Sequence, residues 1–434
     1  MSKKPLHKHI GHHAKKFHGH FTKYLYERDT ILASLWVYIF IFGLSLIPLN
    51  LYVLNPIKQS LKDFDFTDMV YSKLGRGALV PIDSTITIVN IGNADRAGIA
   101  GLIEKVSAME PKVIGVDVVF EGPRDSVADA LLSGVISNTP NLVMANQVEY
   151  PTKKDKVVNN GFFDKASKEQ GFVNMVTKDN QSIRQFLPFE KVGNKKYKSF
   201  AVAITEKFNA EAVKKLEKRH KEFELINYTR RLSRMGDDAV DADSKVKVKE
   251  HDQYQTIEPD MLMEDNVDPS AIKGRIVLLG YVNRDPNDIL DKKFTPMNKR
   301  YAGKSTPDMN GIVVHANIIS MILEENYVKK VPSWANLLIS VVVCWLFMSF
   351  FIRYYLENHI WFHLVAKIIQ VASAFLFAYL GIYLFDNYRI KVDMKMSLLV
   401  IIMAVDVIYF YEAWAVWMHK KFHYHTVFKP HHHG

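Results

Sequence analysis

The sequence predicts an α/β domain with a mainly parallel or mixed sheet flanked by helices, plus four transmembrane α-helices, one N-terminal and three C-terminal. Three observations predict this fold class. Four stretches of the 434-residue chain are apolar over lengths that can cross a bilayer. Between the first and second stretch, runs that are apolar on both faces alternate with amphipathic helical segments. Clusters of lysine and arginine flank the apolar stretches at both ends of the chain.

The first span is predicted over residues 30–54, which carry no charge over 25 residues. That length crosses a hydrocarbon core of about 30 Å at about 1.5 Å per residue. The other three spans are predicted over 334–352, 360–385 and 396–418. Aromatic residues lie near the span ends, as an interfacial aromatic belt requires; they are Trp334, Trp361, Tyr388, Trp414 and Trp417.

The two tails predict the topology. Residues 1–29 carry seven lysines and arginines, two acidic residues and six histidines, and residues 419–434 carry three lysines and six histidines. We therefore expect both basic tails in the cytoplasm of a bacterium, four crossings of its inner membrane, and an extracytoplasmic (periplasmic) segment over 55–331. For the histidines, a solvated basic tail is favoured over a divalent-metal binder or a pH-sensitive membrane anchor.

Composition excludes some classes of function. The net charge is +10, but no nucleic-acid-binding motif accompanies it, so the expected partner of the basic tails is the membrane and not a nucleic acid. The single cysteine, Cys344, lies in an apolar run, which excludes disulfides and cysteine-ligated metal from the soluble region. No nucleophile–base pair and no metal-ligand spacing is visible, so we expect neither an enzyme, nor a metal, nor a cofactor.

Past a linker at 55–82, strands and helices alternate. The patterning predicts strands at 84–91, 111–120, 141–149, 223–231 and 274–282, a strand pair within 171–189, and helices at 94–109, 127–137, 198–208 and 311–328. Residues 234–253 are polar and charge-mixed, which predicts a surface insertion. Ligands of parallel sheets bind beyond the carboxyl ends of the strands, and Asn90, Asp95, Arg96 and Asp117 lie at those predicted ends.

The order of these motifs resembles the CHASE type 2 family of sensory domains, extracytoplasmic modules of bacterial membrane receptors. The resemblance covers about residues 83–331, from ITIVNIGNADR and PKVIGVDVVF through GRIVLLGYVNRDPNDILDKKFTPM to MNGIVVHANIISMIL. It adds Asp291, Thr295, His315 and Asn317 to the ligand-binding candidates. There are two departures: the first strand ends in Asn90-Ile91-Gly92-Asn93 instead of paired acids, and only 16 residues follow Met418, where relatives usually carry an output domain.

Each polar candidate has two open interpretations. Asp117 and His315 either line a small polar pocket or belong to a hydrogen-bond network that holds the fold together. Most buried polar groups in proteins form hydrogen bonds within the fold, which favours the network. Asp117→Asn would separate the two interpretations, since lost binding in a folded protein indicates the pocket.

Three charges fall inside the predicted spans: Lys367, Asp406 and Glu412. Lys367 and Glu412 lie at matching depths, which predicts an ion pair between them. Asp406 lies close to the midplane, where it is either neutral and hydrogen-bonded or faces a partner protein. An ion pathway needs several such groups and is not favoured.

The sequence thus predicts a non-enzymatic inner-membrane protein whose periplasmic domain acts as a docking or scaffold subunit of an envelope complex. The alternative is a receptor that binds a small ligand in the periplasmic domain and relays the signal to a separate output protein. Both hypotheses predict protein partners, and both leave open whether the chain forms a homo-oligomer.

Overall fold

A computed structural model describes residues 24–46, 65–72, 80–152, 155–175, 182–233, 238–240, 247–249, 251–298, 306–357 and 362–428. The chain divides into two compact units. One consists of residues 56–328, and the other combines residues 1–55 with 329–434.

The helices are α1 Arg28–Leu46, α2 Asp68–Ser72, α3 Arg96–Ala108, α4 Ser126–Asn138, α5 Phe200–Phe208, α6 Ala210–Glu217, α7 Pro259–Met263, α8 Gly311–Leu323, α9 Ser333–Glu357, α10 Phe362–Tyr388 and α11 Lys395–Phe422. The strands are β1 Asp83–Asn90, β2 Val113–Val116, β3 Leu142–Glu149, β4 Val157–Asn159, β5 Gln170–Phe172, β6 Gln185–Phe186, β7 Phe189–Val192, β8 Lys195–Lys198, β9 Glu224–Leu225, β10 Asp238–Val240, β11 Lys247–Lys249, β12 Tyr254–Ile257, β13 Ile276–Gly280, β14 Lys292–Lys293, β15 Met309–Asn310, β16 Lys329–Lys330 and β17 Ile390–Lys391.

The unit of residues 56–328 is built on a mixed, mainly parallel sheet, which confirms the predicted fold class. Its strand order is β12-β1-β13-β2-β3, and β3 pairs in parallel with β5 and antiparallel with β4. The central strand β13 is buried at all five positions, as expected for a strand covered on both faces. Because β12, β1, β13, β2, β3 and β5 are parallel, their carboxyl ends share one edge of the sheet.

Two helical layers cover the sheet. On one face, Ile99, Leu102 and Ile103 of α3 and Leu132 of α4 pack in one apolar cluster with Ile114 and other strand side chains. On the opposite face, a Cβ at Gly115 would meet Phe200 and Ile204 of α5, and one at Gly280 would meet Ile312 of α8. Side chains of successive strand residues point to opposite faces, so this arrangement follows from the strands' apolar character at every position.

Several predicted elements are shorter than the patterning indicated. The strand expected over 111–120 ends at Val116, so Asp117 follows the strand instead of lying inside it. The strand expected over 223–231 is only Glu224–Leu225. The two strands expected within 171–189 do not pair with each other, because β5 pairs with β3 and β6 with β9. Residues 176–181, between these two strands, lie outside the described residues.

The other unit contains α1, α9, α10 and α11, four helices long and apolar enough to cross a membrane among the residues described. Residues 47–54 of the predicted first span, and Trp361, lie outside the described ranges. The four helices enclose a core that includes Val37, Met348, Phe362 and Ile408.

Hydrogen bonds at the two ends of this helical unit fix which helix ends lie together. At one end, the buried Asp29 of α1 accepts hydrogen bonds from the hydroxyls of Tyr411 (2.6 Å), Tyr424 (2.8 Å) and Thr426 (2.9 Å) and from the amide of Val427 (2.6 Å). At the other end, strand β16, which precedes α9, pairs in parallel with strand β17, which lies between α10 and α11. The start of α1 and the segment after α11 therefore lie at the same end.

The predicted ion pair between Lys367 and Glu412 is wrong. Lys367 Nζ lies 2.8 Å and 2.9 Å from the two carboxylate oxygens of Asp406. Glu412 instead accepts a 2.7 Å hydrogen bond from the hydroxyl of Tyr355. Asp406 therefore forms the ion pair that the sequence assigned to Glu412.

Candidate functional site

Asp117 begins an acidic and basic cluster at the carboxyl edge of the sheet. Its amide donates to the carbonyl of Leu279 (2.9 Å), which extends the ladder between β2 and β13 by one residue. Burial raises the pKa of the Asp117 carboxyl to about 7; the nearby carboxylate of Asp291 raises it too, and Lys293 acts in the opposite direction. The Asp117 residue is partly exposed at this edge of the sheet.

Asp291 connects this cluster to the start of α8. It adopts a left-handed backbone conformation (φ 53°), and its backbone oxygen and Oδ2 accept from the amide of Gly311 at 3.1 Å and 3.3 Å. A Cβ at residue 311 would lie 3.1 Å from Asp291 Oδ2, so glycine permits the close approach. Lys293 Nζ lies 3.3 Å from Asp291 Oδ1. Asp291 therefore caps a helix and balances Lys293.

His315 lies one turn into α8 and is 4% exposed. Its ring meets Phe200 edge-on, with 5.3 Å between ring centroids, and its Nδ1 has no hydrogen-bond partner among the described residues. Burial lowers the pKa of His315 to about 4, and Lys293 lowers it further, so the ring is neutral at pH 7. It lines a cavity of about 10 Å³ whose other walls are largely apolar. Lys293 thus acts on both Asp117 and His315, and the structure brings three of the predicted residues, Asp117, Asp291 and His315, into one electrostatic group.

Asn90, Asp95 and Arg96 belong to hydrogen-bond networks that hold loops in place. Asn90 ties three strand ends together, since its Nδ2 donates to Glu258 (2.7 Å) and its Oδ1 accepts from the amides of Gly92 (3.0 Å) and Val282 (2.9 Å). Asp95 is the N-cap of α3 and accepts from the amide of Gly98 (2.8 Å).

Arg96 is buried and fully engaged. Its guanidinium pairs with Asp129 (2.5 Å), donates to the carbonyls of Glu121 (3.1 Å) and Gly122 (2.7 Å), and lies over Phe162 and Phe163. This arrangement fixes the loop between β2 and α4 instead of offering a free cation.

Thr295 and Asn317 are also engaged in the fold. The amide and hydroxyl of Thr295 both donate to Asp308, the first at 2.6 Å. Asn317 is fully buried; it donates to the carbonyls of Arg230 and Val313 (both 2.9 Å) and accepts from the amides of Thr229 (3.0 Å) and Arg230 (3.1 Å). Asn317 therefore uses its amide to hold the segment after β9 against α8.

A second cavity at the same edge was missed from the sequence. It measures about 40 Å³ and lies where the chain leaves β13 and enters α8. Its polar walls are Arg231, Ser233, Asn283, Arg284, Lys292, Asp308 and Asn310. Three cationic residues and one acidic residue line the cavity. Val313, in the first turn of α8, also contributes to its wall. A signal for it was present in the sequence, since NRDPNDILDKKF follows a buried strand and carries Arg284 and Lys292.

The charges around this cavity are held by defined contacts. Arg284 forms a bidentate pair with Asp252 (2.7 Å and 2.5 Å) and donates to the carbonyl (3.2 Å) and hydroxyl (3.1 Å) of Ser233. The pair with Asp252 raises the pKa of Arg284. The Lys292 ammonium donates to the carbonyl of Asp285. The positive charges are therefore fixed in position, as an anion site requires.

The order of elements and the motifs at the strand ends match a known family. The model of the CHASE2 domain matches residues 39–351, which is more than half of the chain. The chain belongs to the CHASE2 domain family. No curated protein and no solved structure shows a significant match to it.

Membership of the CHASE2 family makes this chain a membrane protein with an extracellular sensory segment. The matched range begins inside α1 and ends inside α9, so it contains the whole unit of residues 56–328. Both groups at the carboxyl edge, the Asp117 cluster and the cationic cavity, therefore lie in the CHASE2 domain. In the parts of the chain that the structure describes, no group of three or more histidine, cysteine, aspartate or glutamate side chains is arranged to hold a metal ion.

Proposed function

We propose that this CHASE2 protein is a non-enzymatic bacterial receptor that binds a small anion in its extracytoplasmic domain and relays the signal to a separate output protein. The observation that carries the proposal is the cavity of about 40 Å³ lined by Arg231, Arg284 and Lys292. It lies beyond the carboxyl end of β13, the edge at which parallel sheets bind ligands.

The chemistry of the cavity favours an anion. Its lining carries three cations and one acid, Asp308, whose oxygens already accept from Thr295. One of the cations, Arg284, pairs with Asp252, so the cations still outnumber the acids. The first turn of α8 adds the positive end of a helix dipole. The volume suits a carboxylate or an inorganic oxyanion, whereas drug-sized ligands occupy pockets of about 300–1,000 Å³.

The proposed location is the inner membrane, with both tails in the cytoplasm. The basic tails support this orientation through the positive-inside rule, and the position of the start of α1 beside the segment after α11 agrees with an even number of crossings.

Anion binding is tested by thermal unfolding of the purified full-length protein in detergent, titrated with acetate, succinate, phosphate and sulfate at constant ionic strength. A ligand present at 100 times its Kd stabilises the folded state by about 2.7 kcal/mol, which raises the midpoint temperature. We expect one of these anions to raise it in the parent and Lys292→Met to weaken the effect at least tenfold. Lys214→Met, at an exposed lysine of α6, is the matched control. The receptor proposal fails if no anion shifts the parent or if both variants respond like the parent.

The docking or scaffold role is the second candidate, and one specific observation favours it. Most predicted pocket residues, including Asn90, Arg96 and Asn317, are used by internal hydrogen bonds. Purification from native membranes in mild detergent separates the candidates. A stable set of co-purifying envelope proteins together with no anion response supports the scaffold; a protein that purifies alone and binds an anion supports the receptor.

A further inference from the structure

The ion pair between Lys367 and Asp406 lies on the outside of the helical unit, within its apolar spans. The side chains are 51% and 47% exposed. Charged side chains inside a membrane almost always face a bundle interior or a water-filled cavity, because hydrocarbon does not solvate them. Lipid alone is therefore an unfavourable neighbour for this pair.

Two other polar groups of the spans, by contrast, are directed inward. Gln370 of α10 is 4% exposed and donates to the carbonyl of Ile401 (2.9 Å). Asp29 of α1 is 1% exposed and holds four hydrogen bonds. The helical unit thus buries these polar side chains in its interior, whereas Lys367 and Asp406 lie on its outer surface.

A second polar pair continues the same face. His363, one turn before Lys367 on α10, stacks on Tyr409 of α11 with 5.4 Å between ring centroids, and a 2.9 Å hydrogen bond joins its Nδ1 to the tyrosine hydroxyl. We call His363, Lys367, Asp406 and Tyr409 the polar strip. Exposed apolar side chains flank it, including Ile368 (59%) and Ile402 (49%).

We propose that the polar strip is an intramembrane interface between two copies of this chain. The argument is charge complementarity. A two-fold axis along the membrane normal keeps both copies in the same orientation and places each residue against residues at its own depth. Lys367 and Asp406 are hydrogen-bonded and hence at the same depth, so each lysine meets the aspartate of the second copy. The four charges then form a neutral, desolvated ring, and the flanking apolar side chains supply packing.

Two experiments test this interface in native membranes. The first is disulfide cross-linking of single cysteines in a Cys344→Ala background, with Ile402→Cys beside the polar strip. The control is Leu35→Cys, which is 55% exposed on α1. We expect a band of twice the monomer mass for Ile402→Cys and at least fivefold less for Leu35→Cys. No such band, an equal band for both, or an adduct of Ile402→Cys with a different protein overturns the proposal.

The second experiment uses charge reversal in two differently tagged copies that also carry Ile402→Cys and Cys344→Ala. Lys367→Asp alone gives an all-acidic strip and Asp406→Lys alone an all-basic one, so each should lose its own cross-link. Co-expression brings an acidic strip against a basic strip and should restore cross-linking between the two tags. The double reversal within one chain restores the internal pair and controls for folding. Absence of restoration on co-expression, when the double reversal still cross-links, overturns the interface.

Discussion

Asp117, the residue that follows β2, has a carboxyl group with a raised pKa. Its backbone amide is used by the sheet, while its carboxyl is desolvated and lies near the like charge of Asp291. Burial and a like charge both disfavour the ionised form, which raises the pKa of Asp117 to about 7. A carboxyl group of this kind opposes folding whenever it is ionised.

The pH dependence of this cost follows from the raised pKa. Between an unfolded pKa of about 4 and a folded pKa of about 7, the folded state binds more protons, so the contribution of Asp117 to stability falls as the pH rises through this window. We expect Asp117→Asn to match the parent near pH 4 and to be more stable by on the order of 1–3 kcal/mol at pH 8. Thermal unfolding of both proteins from pH 4 to pH 8 measures the difference.

Asp164→Asn, at an exposed aspartate in the segment before β5, is the control for the general effect of removing a negative charge. If Asp117→Asn shows a constant offset from the parent at every pH, the carboxyl does not titrate in this window. If the variant is less stable at pH 8, Asp117 belongs to a stabilising network and the cost argued here is absent.

At this scale the sequence located some contacts and missed others. Asp117 lies in an apolar run near the end of a predicted strand, whereas the resemblance to the CHASE type 2 family supplied Asp291 and His315. Matching depth in the membrane was the only basis for pairing Lys367 with Glu412. Asp406 and Glu412 are six residues apart, a rotation of about 600° around the helix, so they face different directions. Only packing of the neighbouring helices decides which carboxylate meets the lysine.

Between elements, close approach of backbone atoms depends on glycine. Gly171 of β5 packs against α5 so tightly that a Cβ would lie 2.5 Å from Phe200 Cα and 2.8 Å from its amide nitrogen. Backbone atoms cannot rotate away, so α5 would have to shift. We expect Gly171→Ala to lower the free energy of unfolding by on the order of 2–4 kcal/mol, measured by chemical denaturation.

The matched control is Gly134→Ala in the exposed face of α4, where a Cβ would meet nothing within 4 Å. Alanine has the higher helix propensity by about 1 kcal/mol, so this change should stabilise the protein. Equal effects of the two substitutions would mean that β5 and α5 are not packed as described.

Hydrogen bonds of Asp29 connect the segment after α11 to the first turn of α1. Its carboxylate accepts from Tyr411, Tyr424, Thr426 and the amide of Val427. Hydrogen bonds to a charged group contribute about 1.5–3 kcal/mol each, and their loss would leave buried hydroxyls unpaired. We expect Asp29→Ala to release residues 423–428, which limited proteolysis in detergent would detect as faster loss of a C-terminal tag.

Glu27→Ala, two residues earlier on the same side of the membrane, should leave the rate of proteolysis unchanged. Equal rates for the parent and Asp29→Ala would show that the segment is held by its aromatic contacts, such as Tyr424 with Trp414, and not by the carboxylate.

The order of elements could be predicted from the sequence, but their lengths could not. Val118 and Val119 favour a strand, yet β2 ends at Val116, although its neighbour β3 continues to Glu149. The loop that follows is held by Arg96, which donates to the carbonyls of Glu121 and Gly122, and no local pattern contains a contact between residues so far apart in the chain. The cationic cavity was missed for a related reason, since Arg231 and Arg284 are 53 positions apart and meet only in the folded chain.

At the scale of the whole molecule, the helical unit constrains topology independently of charge. The start of α1 lies beside the segment that follows α11, joined by Asp29. The charge of the basic tails predicts that both lie in the cytoplasm, whereas the hydrogen bonds of Asp29 depend only on the packing of the helices. Charge and packing therefore independently favour the same side for both tails.

This topology predicts opposite accessibility for the tails and the CHASE2 domain. In a Cys344→Ala background, a cysteine at the exposed Lys214 of α6 should react with a membrane-impermeant maleimide in intact spheroplasts. Cysteines at Ser2 and at Lys429, in the basic tails, should react only after the membrane is permeabilised. Labelling of one tail without the other in intact spheroplasts would contradict the contacts of Asp29, which hold the start of α1 beside the segment after α11. Labelling of both tails but not of Lys214→Cys would mean that the orientation in the membrane is inverted, while the helical packing could stand as described.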